Sequence, residues 1–228
     1  MPTASLLAAP PVPDAARAAL GDGLPVLERY AALLAGPGVE RGLLGPRETP
    51  RLWERHVLNC AGPAALAAPG DLVVDVGSGA GLPGLVVAAL RPDVRVLLVE
   101  PLLRRATFLS EAVEVLGLRA VEVRRARAEE LAGTVEADLA VARAVAPLDR
   151  LAGWTLPLLR EGGRLVALKG ASAEEELAAA DDALRALGGR DARVVELGDE
   201  AALTASRAVV VERGPAPAAR PSRRRGRR

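Results

Sequence analysis

The spacing of apolar residues changes near residue 70. In residues 14–68 the apolar positions form short helical stripes that Gly and Pro interrupt, which predicts short helices and no strand. From residue 71 onward, short continuous apolar runs alternate with segments of helical spacing. Continuous runs are typical of strands that are buried on both faces, as in parallel sheets. The pattern therefore predicts an α/β fold that begins at residue 71 and is preceded by helices.

Seven strands and four intervening helices are predicted. The strands are placed at 71–77, 94–100, 119–125, 137–143, 163–170, 192–197 and 206–213. The helices are placed at 83–91, at 102–116, from Pro147 to a kink or early end at Pro157, and from Ser172 to Gly188. Ser172 and Glu175 have the spacing of a capping box at the start of the last helix.

The order of these elements predicts a doubly wound sheet. The link at 198–205 is too short for a helical crossover, so the seventh strand should run antiparallel to its neighbour. The predicted organisation is a flexible arm (1–13), an N-terminal helical cap (14–70), a domain with a seven-stranded, mostly parallel sheet (71–213) and a disordered Arg-rich tail (214–228).

The charge of the chain is divided unevenly. The formal net charge is +1, but residues 220–228 carry six arginines and no acid, which leaves −5 on the rest. Such a tail suits a polyanion such as RNA, although a solvated extension without a required role has the same composition. If the tail binds RNA, deletion of 215–228 should weaken RNA binding and reduce its salt dependence in titrations at several salt concentrations. If the salt dependence of RNA binding did not change, the tail would be a passive extension.

Composition excludes several classes of protein. Cys60 is the only cysteine, so neither an intrachain disulfide nor an all-cysteine metal site can form. The apolar N-terminal segment is too short and too rich in proline for a signal peptide, and no apolar run approaches the ~20 residues of a membrane span. We expect a cytoplasmic monomer without a metal or a membrane partner. Aromatic residues make up 2% of the chain, so base stacking has four candidates: Tyr30, Trp53, Phe108 and Trp154.

A glycine-rich segment follows the first predicted strand. Residues 75–84 read DVGSGAGLPG, and Gly77, Gly79 and Gly81 let the backbone turn tightly and approach a ligand closely. In a doubly wound sheet, a nucleotide-like cofactor lies across the strand ends at this turn.

Two cofactors fit this segment. Residues 79–84 satisfy the dinucleotide pattern G-x-G-x-x-G, with Glu100 at the ~20-residue spacing of a ribose-binding acid. S-adenosylmethionine is favoured because Asp75 is placed to meet its cationic amino group, and because Pro83 lacks the N–H that a pyrophosphate would need at a helix start. The antiparallel seventh strand also resembles a class I methyltransferase sheet. An NAD-dependent oxidoreductase remains the alternative.

Acidic residues follow the next two strands. Glu100 ends the second strand, where a carboxylate can accept both ribose hydroxyls, although a solvated acid at a strand end is also common. Ala128 and Glu129 follow the third strand, where Glu129 could accept from an adenine amine. Glu130 is equally available by charge, so spacing alone does not choose between the two acids.

Five motifs occur in a characteristic order: Leu52-Trp53-Glu54-Arg55-His56 with Asn59, the loop 74–84, Arg104-Arg105 through Phe108-Leu109, Ala142-Arg143-Ala144, and Ala167-Leu168-Lys169-Gly170. Over about residues 24–213 the chain resembles the RsmG (GidB) family of 16S ribosomal RNA guanine-N7 methyltransferases. The resemblance implies a class I S-adenosylmethionine-dependent methyltransferase fold (Rossmann-like) with an N-terminal helical cap. It also implies 16S rRNA or the small ribosomal subunit as partner and 7-methylguanosine in the decoding-region loop as product.

The resemblance also implies site residues. Cofactor-binding positions of the family match Gly77, Leu82, Ala128, Glu129 and Arg143, and this selects Glu129 over Glu130. Two positions depart from the family pattern. Glu100-Pro101 stands where relatives often carry Asp and a different second residue, and Asn59-Cys60 replaces the more usual Asp-Ser pair.

The implied chemistry needs little acid–base catalysis. Guanine N7 carries a lone pair and no proton, so no general base is required, and catalysis comes from holding N7 in line with the methyl group. Arg143, at the end of the fourth strand, could donate to guanine O6 or to a phosphate, although a surface arginine would look the same. Lys169, the only lysine, ends the fifth strand at the same edge. His56, the only histidine, is interpreted as support for RNA or cofactor. These three are the catalytic candidates. A methyltransferase for another RNA or a small molecule, and a catalytically silent RNA-binding module, remain alternatives.

Overall fold

The computed structural model describes residues 9–202 and 204–215. Most of the predicted arm and residues 216–228 of the predicted tail lie outside the described residues. The predictions on their flexibility and on RNA binding by the tail are therefore unaffected by the structure.

The sheet contains the seven strands that the apolar runs predict. Their order across the sheet is β3-β2-β1-β4-β5-β7-β6. β1 to β5 are parallel to one another, whereas β7 lies between β5 and β6 and is antiparallel to both. The predicted mostly parallel sheet with an antiparallel last strand is confirmed. The strands are β1 (Leu72–Val76), β2 (Arg95–Val99), β3 (Val121–Arg124), β4 (Ala137–Arg143), β5 (Leu159–Lys169), β6 (Gly189–Leu197) and β7 (Ser206–Arg213).

The strand order reverses beside β1. The chain passes from β1 to β2 and β3 on one side and then returns to β4 on the other side of β1. At such a switch point the connections leave the strand ends in opposite directions and open a crevice. The ends of β1, β2 and β4 therefore face the place where a ligand binds in this class of fold.

Helices cover both faces of the sheet. α1, α2, α3, α4 and the short turns of the N-terminal segment share one hydrophobic cluster with one face, and α5 and α6 share a second cluster with the other face. Successive strand residues such as Val73 and Val74 enter opposite clusters, as the alternation of strand side chains requires. The helices are α1 (Asp14–Leu20), α2 (Leu24–Leu33), α3 (Gly84–Leu90), α4 (Leu103–Leu116), α5 (Leu148–Thr155) and α6 (Ala173–Ala186).

The N-terminal helices therefore belong to the same packed unit as the sheet face they cover. The division of the chain at residue 70 remains a prediction. Within the part of the chain that the structure describes, we found no helix with the length and apolarity that crossing a membrane requires.

Two local predictions need correction. Ser172 precedes α6 but makes no capping hydrogen bond to the helix backbone, and its Oγ lies 3.2 Å from Glu176 Oε1 instead. The predicted capping box with Glu175 is therefore wrong, because Ser172 is not in the extended conformation of a capping residue.

β5 begins four residues before the predicted start, because the polar residues 160–163 continue the strand beyond the apolar run. α5 ends at Thr155, as Pro157 predicts.

Candidate functional site

The glycine-rich segment forms a tight loop between β1 and α3. Gly77, Gly79 and Gly81 have φ angles of +72°, +58° and +100°, a region that side chains with a Cβ rarely adopt. The N–H of Gly77 donates to the carbonyl of Val99 at 2.8 Å, which ties the loop to the end of β2. A Cβ on Gly77 would lie 2.8 Å from a methyl group of Val145. Both the backbone conformation and the available space therefore require glycine at residue 77.

Asp75 lies beneath this loop. Its side chain is fully buried, Oδ2 accepts the Gly84 N–H at 2.9 Å, and Oδ1 has no hydrogen-bond partner. The carboxylate does not line the cavity above the loop. Asp75 therefore anchors the start of α3, and its contact with the amino group of a cofactor stays a prediction. The Gly84 N–H at the start of α3 donates to Asp75, so it is not available to bind a pyrophosphate.

Burial makes the Asp75 carboxyl a weaker acid than usual. Desolvation raises the pKa of its carboxyl from 3.8 to about 7. Between about pH 4 and pH 7 the folded chain retains a proton that the unfolded chain releases, so this carboxyl lowers the free energy of unfolding as pH rises through that window. Asp75→Asn should remove this pH dependence. In the parent chain it changes the free energy of unfolding by on the order of 4 kcal/mol in total across the window. Urea unfolding from pH 4 to pH 8 measures it. Parallel pH profiles of the variant and the parent chain would contradict the prediction.

A cavity of about 530 Å³ opens above the loop and the ends of β1 and β2. We call it the glycine-loop cavity. Its volume lies within the range of small-molecule sites. Its walls come from the ends of four strands, from α4 and from α5. They comprise Val76, Gly77, Val99, Glu100, Pro101, Leu102, Arg105, Ala126, Arg127, Ala128, Glu129, Ala144, Val145 and Trp154.

Glu100 is the buried acid of this cavity. Its Oε2 accepts the Gly79 N–H and its Oε1 accepts the Leu102 N–H, both at 3.0 Å. Each carboxylate oxygen has two lone pairs, so each retains the capacity to accept one further hydrogen bond. These free acceptor positions are compatible with two neighbouring ribose hydroxyls, and the ribose contact of Glu100 stays a prediction. The same carboxylate holds the glycine loop against the start of α4.

The structure distinguishes Glu129 from Glu130. Both lie in a short 3-10 turn at Ala128–Leu131, but only Ala128 and Glu129 line the cavity. Glu130 accepts the N–H of Arg127 at 3.4 Å instead. This placement agrees with the choice that the family resemblance implied.

This difference between adjacent acids gives a matched test. Glu129→Ala should weaken binding of S-adenosylhomocysteine about tenfold, as expected for the loss of one hydrogen bond to a partly exposed carboxylate. Glu130→Ala should leave the dissociation constant unchanged. Isothermal titration of both variants measures the effect, and equal affinities of the two variants would contradict the assignment.

Only one of the four aromatic residues is available to a ligand. Tyr30, Trp53 and Phe108 are buried, which excludes them from base stacking. The Tyr30 hydroxyl donates to the carbonyl of Ala80 at 2.8 Å, so α2 supports the glycine loop. Trp154 is partly exposed and lines the glycine-loop cavity. Trp154 was one of four candidates for base stacking, but no pattern in the sequence indicates that α5 turns it toward the cavity.

A second cavity, of about 830 Å³, adjoins the first. We call it the Arg143 cavity. Ala144 and Val145 line both cavities. Ala144 has a φ of +52°, a conformation that costs roughly 1–2 kcal/mol for a residue other than glycine. The walls of the Arg143 cavity are Glu54, Arg55, Asn59, Arg143, Ala144, Val145, Ala146, Pro147, Leu168, Lys169, Gly170 and Glu176.

Arg143 is held by the N-terminal segment. Its Nη1 donates to the His56 carbonyl at 3.1 Å and lies 3.2 Å from Cys60 Sγ, and its Nη2 lies 2.8 Å from His56 Nδ1. Burial raises the pKa of the Cys60 thiol to about 11, so Cys60 stays a neutral thiol beside the guanidinium. These contacts exclude the alternative that Arg143 is a solvated surface residue. They show a positioned guanidinium at the end of β4.

Lys169 is engaged with protein groups. Its Nζ donates to the carbonyl of Ala146 at 3.1 Å and to Glu176 Oε2 at 2.6 Å, and its side chain is 10% exposed. Glu176 neutralises its charge. The ammonium therefore holds the segment that forms the shared wall, and the catalytic role of Lys169 stays a prediction.

His56 lies behind Arg143 and does not line the cavity. Its Nε2 is 2.9 Å from Glu48 Oε2, and burial lowers the pKa of the imidazole. This placement agrees with a supporting role. No three His, Cys, Asp or Glu side chains are grouped as metal ligands within residues 9–202 and 204–215.

Comparison with known proteins agrees with this arrangement. The family described as GidB, rRNA small subunit methyltransferase G, matches residues 24–206. A relative named Ribosomal RNA small subunit methyltransferase G from Thermobifida fusca is 62% identical over 72% of this chain and 69% of its own. A relative of the same name from Streptomyces coelicolor is 53% identical over 91% of this chain and 87% of its own.

A solved structure of a SAM dependent methyltransferase from Aquifex aeolicus has the same fold. Its TM-score is 0.53 at 18% identity, over 73% of this chain and 95% of that one. The class I methyltransferase fold is thus confirmed, and so is the family resemblance carried by the five motifs. With a family match over most of the sequence and relatives more than half identical, the chain belongs to the GidB family, rRNA small subunit methyltransferase G.

Proposed function

We propose that this chain transfers a methyl group from S-adenosylmethionine to N7 of a guanosine in the decoding-region loop of 16S ribosomal RNA. Family membership supports ribosomal RNA of the small subunit as the substrate class. The observation that carries the proposal is the wall that the two cavities share. A cofactor in the glycine-loop cavity and a base in the Arg143 cavity would meet at Ala144 and Val145.

The glycine-loop cavity fits S-adenosylmethionine. Glu100 offers one free acceptor position on each oxygen for the ribose hydroxyls, and Glu129 offers a carboxylate on the far wall. A Cβ at residue 77 would meet Val145, which lines both cavities, so glycine lets the loop backbone lie against their shared wall. When bound, S-adenosylmethionine supplies an electrophilic methyl group on a sulfonium. The N–H of Gly84 is occupied by Asp75, which argues against a dinucleotide and therefore against the oxidoreductase alternative.

The residues of the Arg143 cavity suit a guanine. The Arg143 guanidinium offers the donors that recognise guanine O6, and its hydrogen bonds to the N-terminal segment fix its orientation. Methylation at N7 places a positive charge on the base. Glu54 lines the same cavity, and a carboxylate there can offset that charge, whereas Glu176 is paired with Lys169. N7 carries no proton, so the chain needs no free general base, and His56 is already engaged on both ring nitrogens.

A methyl-transfer assay tests the proposal. Small ribosomal subunits and naked 16S rRNA from cells lacking this methyltransferase are incubated with the full chain and labelled S-adenosylmethionine. The methylated guanosine is then located by borohydride reduction and aniline cleavage, which act at 7-methylguanosine. We expect one cleavage site, in the decoding-region loop, in at least one of the two substrates. Label at another atom or in another RNA region would overturn the assignment, and absence of label in both substrates would overturn the reaction.

A further inference from the structure

Three side chains form a hydrogen-bonded series behind the Arg143 cavity. Glu48 lies in a 3-10 turn at Pro46–Arg51 and His56 lies in the turn at Trp53–Val57. Glu48 Oε2 is 2.9 Å from His56 Nε2, and His56 Nδ1 is 2.8 Å from Arg143 Nη2. The series connects a partly exposed carboxylate to a guanidinium at the end of β4.

The chemistry of these groups determines where the imidazole proton lies. A guanidinium donates hydrogen bonds and accepts none, so His56 Nδ1 must accept from Arg143 and carries no proton. The proton of a neutral imidazole is then on Nε2, and it points at Glu48. Burial lowers the pKa of His56, which favours this neutral form. A neutral imidazole with the opposite tautomer would place a proton against the Arg143 guanidinium.

We propose that Glu48 is a positioning residue for methyl transfer. Glu48 keeps His56 in the tautomer whose Nδ1 holds the Arg143 guanidinium in place. The kinetic consequence rests on the function proposed above, whereas the tautomer does not. The charged and titratable groups that face this series are Arg55, whose Nη1 lies 3.2 Å from Glu48 Oε1, Arg51, whose charge acts on Glu48, and the Cys60 thiol beside Arg143. Neither ring nitrogen of His56 contacts Arg55, but burial and the charges of Arg143 and Arg55 all lower the pKa of His56.

Nuclear magnetic resonance tests the tautomer directly. His56 is the only histidine in the chain, so its ring nitrogens are assigned without ambiguity in a ¹⁵N-histidine sample of the full chain. We expect a protonated Nε2 and an unprotonated Nδ1 in the parent chain. Glu48→Ala should produce a mixture of the two neutral tautomers, and Glu48→Gln should restore the parent state through its amide oxygen. A protonated Nδ1 in the parent chain, or an unchanged tautomer in Glu48→Ala, would overturn the proposal.

Kinetics test the consequence for the reaction. Partners that orient metal-binding side chains typically contribute 10–100-fold, and we use the same range for a partner that orients a guanidinium. We therefore expect Glu48→Ala to lower kcat about 10–100-fold with an unchanged dissociation constant for S-adenosylhomocysteine, and Glu48→Gln to recover most of the loss. Glu111→Ala, which removes a surface ion pair with Arg41 of 2.6 Å, serves as the matched control and should retain full activity.

The pH profile separates positioning from a structural role. Protonation of His56 removes the acceptor for Arg143, so activity should fall on the acid side. Glu48 stabilises the protonated imidazole, and Glu48→Gln should therefore shift this acid limb to lower pH. If Glu48→Ala fails to fold, the shift in Glu48→Gln decides, and an unshifted limb overturns the proposal. A parent chain without activity would refute the proposed function alone, because the tautomer is measured independently.

Discussion

Replacement of Arg143 by alanine should lower kcat for methyl transfer by about 10²–10³-fold, the usual effect of losing one preorganised donor in an active site. The dissociation constant of S-adenosylhomocysteine should change less than about threefold, because Arg143 lines the Arg143 cavity and not the glycine-loop cavity. Single-turnover methylation of the small subunit and isothermal titration measure the two quantities. A large loss of kcat with an unchanged dissociation constant would favour Arg143 as a catalytic residue over Arg143 as a cofactor-binding residue.

Two further variants make the Arg143 result interpretable. Arg143→Lys keeps the charge but loses the planar fork that contacts both His56 and the cavity, so we expect a loss almost as large as in the alanine variant. Arg160→Ala removes an arginine whose contacts are Asp138 and the backbone of Glu161, and it should retain activity. Normal turnover in Arg143→Ala would remove Arg143 from the site.

The second large effect is expected on cofactor affinity. Glu100→Ala removes the acceptor of two backbone N–H groups and of the proposed ribose hydroxyls. A hydrogen bond to a charged group contributes about 1.5–3 kcal/mol, so the loss of two should raise the dissociation constant of S-adenosylmethionine at least about 100-fold. Isothermal titration and the thermal shift produced by the cofactor both report this change.

The control for Glu100 is an acid of the neighbouring strand. Glu122 on β3 makes its ion pair with Arg124 at the surface, and Glu122→Ala should bind S-adenosylmethionine like the parent chain. If Glu100→Ala bound the cofactor within about threefold of the parent chain, Glu100 would serve only to hold the glycine loop. The Arg143 and Glu100 variants together separate the substrate side of the site from the cofactor side.

Much of the cofactor side could be predicted from the sequence. Apolar runs mark the strands, because a strand buried on both faces needs apolar residues throughout. Glycines mark the turn after β1, because only glycine takes positive φ without strain. Glu100 and Glu129 follow strand ends, and in a parallel sheet those ends share one edge. All of these signals lie within a few neighbouring residues.

The substrate side depended on contacts between distant segments. Arg143 and His56 are 87 positions apart, and no local pattern indicates that they meet or that Glu48 completes the series. Lys169 was recognised as unusual, but its pairing with Glu176 follows from how α6 packs after β5. The shared wall at Ala144 and Val145 depends on the backbone conformation at the end of β4.

The sequence by itself determined the class of fold, the glycine loop, the family and the order in which acids follow the strands. The tertiary structure decided that β7 enters between β5 and β6, that Asp75 is buried beneath the loop, and which side chains hold Arg143. The reason is physical. Backbone conformation and the burial of strands depend on local composition, whereas desolvation and hydrogen-bond partners depend on which distant segments the packed core brings together.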